Sequence, residues 1–234
     1  MFAEDVALSR IAAEVGTPVY VYSAATLRRH ARVMVDALSP LGDPLVAFAV
    51  KANSNLAVLK LLGAEGLGAD VVSEGEMKRA LAAGIPADRI VFSGVGKTDA
   101  EMAAALAAGI LQLNVESESE LLRLSALAAA SGRTAAIAFR VNPDVDAGTH
   151  AKISTGKAEN KFGIPLDRIE ALYARACAMP GIRAVGIAAH IGSQLSDLRP
   201  LAQAFAKLGE LVARLRRAGH PVQRVDLGGG LGIP

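Results

Sequence analysis

The sequence has one cysteine, Cys177, in 234 residues, which excludes an internal disulfide framework. With only four scattered histidines it also excludes a cysteine-rich zinc site. Charge of one sign is not in excess: 25 basic against 23 acidic residues leave a formal net charge of +2. The basic residues are dispersed apart from pairs such as Arg28-Arg29 and Arg216-Arg217, which argues against nucleic acid or an anionic membrane surface as a partner. No apolar run approaches the roughly 18 residues that a membrane-spanning helix needs. The N-terminus, "MFAEDVALSR", places acids where a signal peptide carries a basic region and a long apolar core, so a cytoplasmic protein is expected. A dinucleotide fingerprint is missing too, because "GGGLGI" has Ile233 where the last glycine of G-x-G-x-x-G belongs. Cys177 falls in the amphipathic stretch "EALYARACAM" and is expected to fill core.

What is present is a regular alternation. The β-branched and aromatic stretch "TPVYVYS" (17–23) predicts a strand, and an amphipathic basic helix over 24–38 follows it. Strands are then predicted at 45–51, 69–72, 89–93, 111–115, 135–141, 184–190 and 222–227. Helical segments separate them, several opened by an acidic or hydroxyl residue and closed by glycine. Such alternation means a parallel sheet, because parallel neighbours need crossover helices. Polar residues mark strand end after strand end: Lys51, Asp70 with Ser73, Ser93, Asn114 with Glu116, Arg140 with Asn142, His190 with Ser193, and Asp226 with Gly228, Gly229 and Gly230. A (β/α)8 barrel collects its chemistry there, so that architecture is preferred to an open doubly wound sheet.

Lys51 ends the apolar run "LVAFAV". At the mouth of an apolar barrel an ammonium loses hydration, the neutral amine is favoured, and a neutral amine attacks aldehydes to form a Schiff base. Pyridoxal phosphate is the aldehyde most often held this way, and its phosphate needs backbone N–H donors on a late strand. "DLGGGLGI" offers three adjacent glycines that let the backbone approach an anion, although a structural tight turn explains the triplet about as well. His190 in "AAHIGSQ" is a structural residue or an imidazole lying against a flat cofactor ring, with Ser193 three residues on as a phosphate donor. His30, His150 and His220 fall in exposed-looking or polar segments.

The motifs "FAVKAN", "GADVVSEGE", "FRVNPDV", "ISTGKAENKFGI", "HIGSQ" and "DLGGGLGI", in this order, resemble the barrel domain of the diaminopimelate decarboxylase family, within the alanine-racemase-like class of pyridoxal-phosphate enzymes. The resemblance runs from about residue 17 to the last residue. It implies that Lys51 bonds the cofactor aldehyde, that His190 stacks on the ring, and that Ser193 and Gly228 to Gly230 hold the phosphate. Asp70, Glu76 and Arg140 would line the cofactor site, although Asp70 and Glu76 also suit acids that complement a helix dipole. Residues 1–23 would belong to a β-rich companion domain and 24–234 to a pyridoxal-phosphate barrel expected to stop after strand seven of eight. The family's later carboxylate and substrate-binding segments have no match here, so these residues alone are expected to be inactive. The activity implied for the whole protein is decarboxylation of meso-2,6-diaminopimelate to L-lysine by a homodimer. Alternatives are a related basic amino-acid decarboxylase, an alanine racemase-like enzyme, a single-barrel cofactor carrier or a phosphate-binding barrel without pyridoxal. The long loop over 143–164 speaks against a minimal carrier.

Overall fold

The computed structural model describes residues 1–145 and 162–233. The chain divides into two compact units, Met1–Val71 with Gly75–Ile90, and Val72–Glu74 with Val91–Pro234.

The first unit opens with an antiparallel pair, β1 (Phe2–Ala3) and β2 (Val6–Ala7), followed by helix α1 (Leu8–Val15). Neither the pair nor the helix is among the sequence expectations. Helix α2 (Ala24–Leu38) has the predicted bounds and starts where the Ser23 hydroxyl accepts the Thr26 N–H at 3.0 Å, which satisfies a donor that the helix itself leaves unpaired. β3 (Ala47–Ala49), α3 (Leu56–Ala64), β4 (Gly68–Val71) and α4 (Glu74–Ala82) complete the unit. Ala31, Val58, Leu62 and Leu67 form its buried cluster, with Leu27, Val46 and Phe48 packed on it. These apolar side chains recur at helical spacing on one face of α2 and α3, the pattern that drives a helix onto a sheet. β3 and β4 are parallel and place Ala49 opposite Asp70.

The predicted strand at 17–23 is not formed. Val19, Tyr20, Val21 and Tyr22 are extended in sequence character but unpaired in any ladder, and all four are exposed, Tyr20 at 89%. Strand propensity expresses packing against neighbours, and among the described residues no strand pairs with this run.

The second unit is built on β5 (Ile90–Phe92, whose first residue belongs to the first unit), β6 (Gln112–Val115), β7 (Ala135–Asn142), β9 (Ile182–Ala188) and β10 (Arg224–Asp226), paired in parallel in that order. A short β8 (Ile164–Pro165) pairs with the end of β7. Among the described residues β10 pairs with β9 alone and β3 with β4 alone. The crossovers are α5 (Asp99–Ala108), α6 (Glu118–Ala130), α7 (Ile169–Cys177) and α8 (Arg199–Arg217). All eight residues of β7, "AAIAFRVN", are buried, as expected for a central parallel strand covered on both faces. Phe139 and Tyr173 meet ring to ring at 5.7 Å beneath it.

Cys177 is a correction: it is exposed at the end of α7, with its sulfur 4.0 Å from His220 Nδ1, and its neighbours Tyr173 and Ala176 carry the buried face instead. The thiol pKa is raised by its partial burial, which leaves it weakly nucleophilic. His220, expected in an exposed-looking segment, is half-buried and packs on Tyr173 at 5.3 Å. Of the motif "ISTGKAENKFGI" only residues 162–164 are described; His150, Lys152, Lys161 and most of the loop lie outside the described residues.

Candidate active site

Lys51 stands on the single 3-10 turn Val50–Ala52 that follows β3, with Val50 fully buried and Lys51 exposed. The expected loss of hydration at this ammonium is therefore not seen within this unit: the apolar run delivers the lysine to the surface rather than into a recess. Asp70, half-buried on β4, is in register with Ala49, two residues before Lys51. Glu76 lies in the first turn of α4, where a carboxylate complements the helix dipole. That reading does not extend to Asp70, which is a strand residue.

In the second unit the strand ends meet in a polar assembly. Arg140, on β7, directs Nη1 at both oxygens of Glu116, at 2.9 and 3.0 Å. Its guanidinium also sits 5.0 Å from the Phe162 ring centroid, an approach that favours a cation. Glu116 in turn accepts the Gly94 N–H at 2.7 Å. Both Arg140 and Glu116 are buried, so a charge that would be costly alone is held by an opposite charge and a backbone donor.

Beside this pair is a residue that the sequence reading did not single out. The side chain of Lys97 is 1% exposed, and its ammonium donates to Gly94 O and Asn114 O at 2.7 Å each and to Glu120 Oε1 at 2.8 Å. Three donors meet three acceptors. Burial nevertheless raises the Glu120 pKa, with the attraction of Lys97 opposing it. Glu120 Oε2 accepts the Glu116 N–H at 3.2 Å, so the two buried ion pairs are joined through the backbone.

His190 follows β9 and is half-buried. Its Nδ1 accepts the Gly229 N–H at 3.3 Å, which leaves the proton of the neutral ring on Nε2. Gly228 donates its N–H to Asp226 Oδ1 at 2.8 Å. Two of the three glycine amides are thus committed within the chain, which narrows the expected triple donor set to Gly230 together with half-buried Ser193. Gly228 and Gly230 have φ of +69° and +101°, and a Cβ there would lie 2.3 Å from Ala189 O and 1.9 Å from Gly192 O. At Gly229 a Cβ would meet nothing within 4 Å. The turn is therefore closely packed at its two ends and open in the middle, a backbone cradle that side chains would obstruct.

A cleft of about 610 Å³ borders Glu116, Ser117 and Gly163. Its rim charges pair with one another, Glu118 with Arg168 at 3.2 Å and with Arg175. Among the described residues no cluster of histidine, cysteine and carboxylate could hold a metal, and no helix is long and apolar enough to cross a membrane.

Parallel strands whose C-terminal ends carry an imidazole, a glycine cradle and a buried arginine in one unit define a domain of the α/β class with its polar groups at the strand ends. The family profile described as "Pyridoxal-dependent decarboxylase, pyridoxal binding domain" matches residues 24–234, and the chain belongs to that family. It is 52% identical over 232 residues to the diaminopimelate decarboxylase of Zymomonas mobilis, covering 98% of this chain and 55% of that protein. The diaminopimelate decarboxylase of Pseudomonas aeruginosa is 52% identical over 233 residues, covering 100% of this chain and 56% of the relative. Among solved structures, diaminopimelate decarboxylase from Helicobacter pylori in complex with L-lysine superposes with a TM-score of 0.93 at 40% identity, covering 97% of this chain and 57% of that one. The chain thus spans about half the length of the relatives it matches.

Proposed function

We propose that the full protein decarboxylates meso-2,6-diaminopimelate to L-lysine and carbon dioxide, and that these residues supply the cofactor-holding part of its active site. The carrying observation is the identity to diaminopimelate decarboxylases along almost the whole chain, joined to a backbone cradle and an imidazole bonded to it in one unit. Pyridoxal 5'-phosphate, when bound, supplies an electron sink for the pair left behind as carbon dioxide departs.

The residues present fit that group. Lys51 offers an exposed primary amine on the turn after β3, the functional group needed to hold an aldehyde. Gly230 N–H and the Ser193 hydroxyl are donors for a phosphate, and the open position at Gly229 lets an anion approach the backbone. His190 presents a ring whose tautomer is set by Gly229, so its face can lie on a planar cofactor while Nδ1 stays an acceptor. Arg140, paired with Glu116 at the end of β7, and Asp70 and Glu76, on β4 and in the first turn of α4, are assigned to the cofactor's surroundings in this reading. In the same reading the full protein is a cytoplasmic homodimer, and residues 1–23 associate with its companion β-rich domain. The exposed apolar run Val19, Tyr20, Val21 and Tyr22 supports that last assignment, since a strand-forming sequence exposed alone lacks the packing that would stabilise it.

The test is borohydride reduction of the full-length protein with bound pyridoxal phosphate, followed by peptide mass mapping. The reduced adduct is expected on Lys51; an adduct on Lys97, Lys152 or Lys161 overturns the assignment. Turnover of diaminopimelate in preference to ornithine, arginine and alanine tests the substrate.

A further inference from the structure

Asn114 lies on β6, is 3% exposed, and uses its whole amide group. Its Oδ1 accepts Gln112 Nε2 at 3.0 Å, while its Nδ2 donates to Ser93 Oγ at 3.1 Å and to Asp226 Oδ2 at 2.8 Å. Asp226 is the last residue of β10, and its other oxygen receives the Gly228 N–H. A single carboxylate therefore joins the interior of the sheet to the glycine cradle. The next amide, Gly229 N–H, reaches His190 Nδ1, so the imidazole is tied into the same chain of bonds.

We infer that Asn114 is a positioning residue, which acts through Asp226 to hold the Gly228–Gly230 turn in the shape that receives the cofactor's phosphate. The inference rests on the proposed pyridoxal-phosphate reading and deepens it. Asp226 carries two acceptor oxygens into a position where one must face the turn. The Asn114 amide holds the second, so the plane of the carboxylate is fixed between the sheet interior and the Gly228 N–H. With a carboxylate in place of that amide, two anions face one another across 2.8 Å and Asp226 is driven off the turn.

Reversing the polarity should restore the link. In the double variant Asn114→Asp/Asp226→Asn, the amide introduced on β10 donates to the carboxylate introduced on β6, and its carbonyl still accepts the Gly228 N–H. Ser93 and Gln112 can both donate to that new carboxylate.

The experiment compares the affinities of pyridoxal phosphate and of pyridoxal, which lacks the phosphate, for the apo form of the full-length protein. For the unsubstituted protein a strong preference for the phosphorylated form is expected; equal affinities would sink the phosphate reading itself. Asn114→Asp should lower pyridoxal phosphate affinity about tenfold or more, the loss expected for a charge-assisted bond, and lower pyridoxal affinity by a much smaller factor, since only the His190 contact is common to both ligands. The double variant should recover most of it. Asn114→Ser, too short to reach Asp226, gives the same selective loss should the aspartate variant fold poorly. A preference for the phosphorylated form that survives Asn114→Ser, or equal losses for both ligands without rescue by the double variant, overturns the positioning role.

Discussion

Replacing Lys97 by methionine keeps the aliphatic stem and removes only the ammonium, so the cost is that of three lost hydrogen bonds with little change in volume. Glu120, 5% exposed, would be left as a buried carboxylate without its cation. Breaking one side of a buried pair typically costs about 3–5 kcal/mol. The carbonyls of Gly94 and Asn114 add to that only where water cannot reach them, at about 1–3 kcal/mol for each dry group. A loss of at least about 3 kcal/mol in urea denaturation of the full-length chain is therefore expected, with faster hydrogen exchange confined to residues 93–120. The pH dependence has a definite sign. Burial already raises the Glu120 pKa, with Lys97 opposing; removing Lys97 raises it further. A carboxyl raised in the folded state costs stability as pH climbs through its folded value, so the deficit of Lys97→Met should be largest at neutral pH and shrink in acid. A deficit below about 1 kcal/mol at neutral pH, or one that grows on acidification, would refute the reasoning.

Lys51→Met should leave stability within about 0.5 kcal/mol, as expected at an exposed position, while abolishing reducible attachment of pyridoxal phosphate in the adduct assay. His190→Ala should reduce turnover far more than it reduces the apo melting temperature; equal effects would return the imidazole to a structural role. Gly228→Ala and Gly230→Ala should impair folding, because their Cβ atoms would strike backbone oxygen, whereas Gly229→Ala should fold normally and weaken cofactor binding alone, read by melting temperature and equilibrium dialysis. Thr98→Ala should cost about 1 kcal/mol by removing the cap of α5. The capped Glu101 has a lowered pKa, chiefly through the Thr98 N–H, so its contribution is present above the ordinary carboxyl range and lost as pH falls through the folded value; the variant keeps that N–H and loses only the weaker Oγ1 bond, so the acid limb of the melting curve should change little.

The elements of the sheet were legible because their signals are local. β7 opens on the apolar run 135–139, and α5 is announced by the Thr98-to-Glu101 capping box and ended by Gly109 in the left-handed region. The stretch 17–23 carries an equally good strand signal and fails, because a ladder needs a neighbour that no local pattern guarantees. Of the candidate site, residue types and their strand ends were legible. The allocation of hydrogen bonds was not: nothing in "DLGGGLGI" says that Gly228 serves Asp226 and Gly229 serves His190.

The two lysines show where this limit lies. "FAVKAN" presents Lys51 after an apolar run, and "GVGKTD" presents Lys97 in a glycine-rich turn before a capped helix, and neither pattern says how far its lysine is buried. In the structure Lys51 is carried out on its turn, and Lys97 is folded inward. The reason is that a lysine's burial is decided by its partners, and those of Lys97 are Glu120 and the carbonyl of Asn114, 23 and 17 residues away on α6 and β6. Side-chain chemistry sets what a lysine can do, and distant parts of the chain set which lysine is left to do it. An exposed amine is available to an aldehyde, whereas one with three acceptors already in place is not, so the geometry that makes Lys97 structural also takes it out of competition with Lys51.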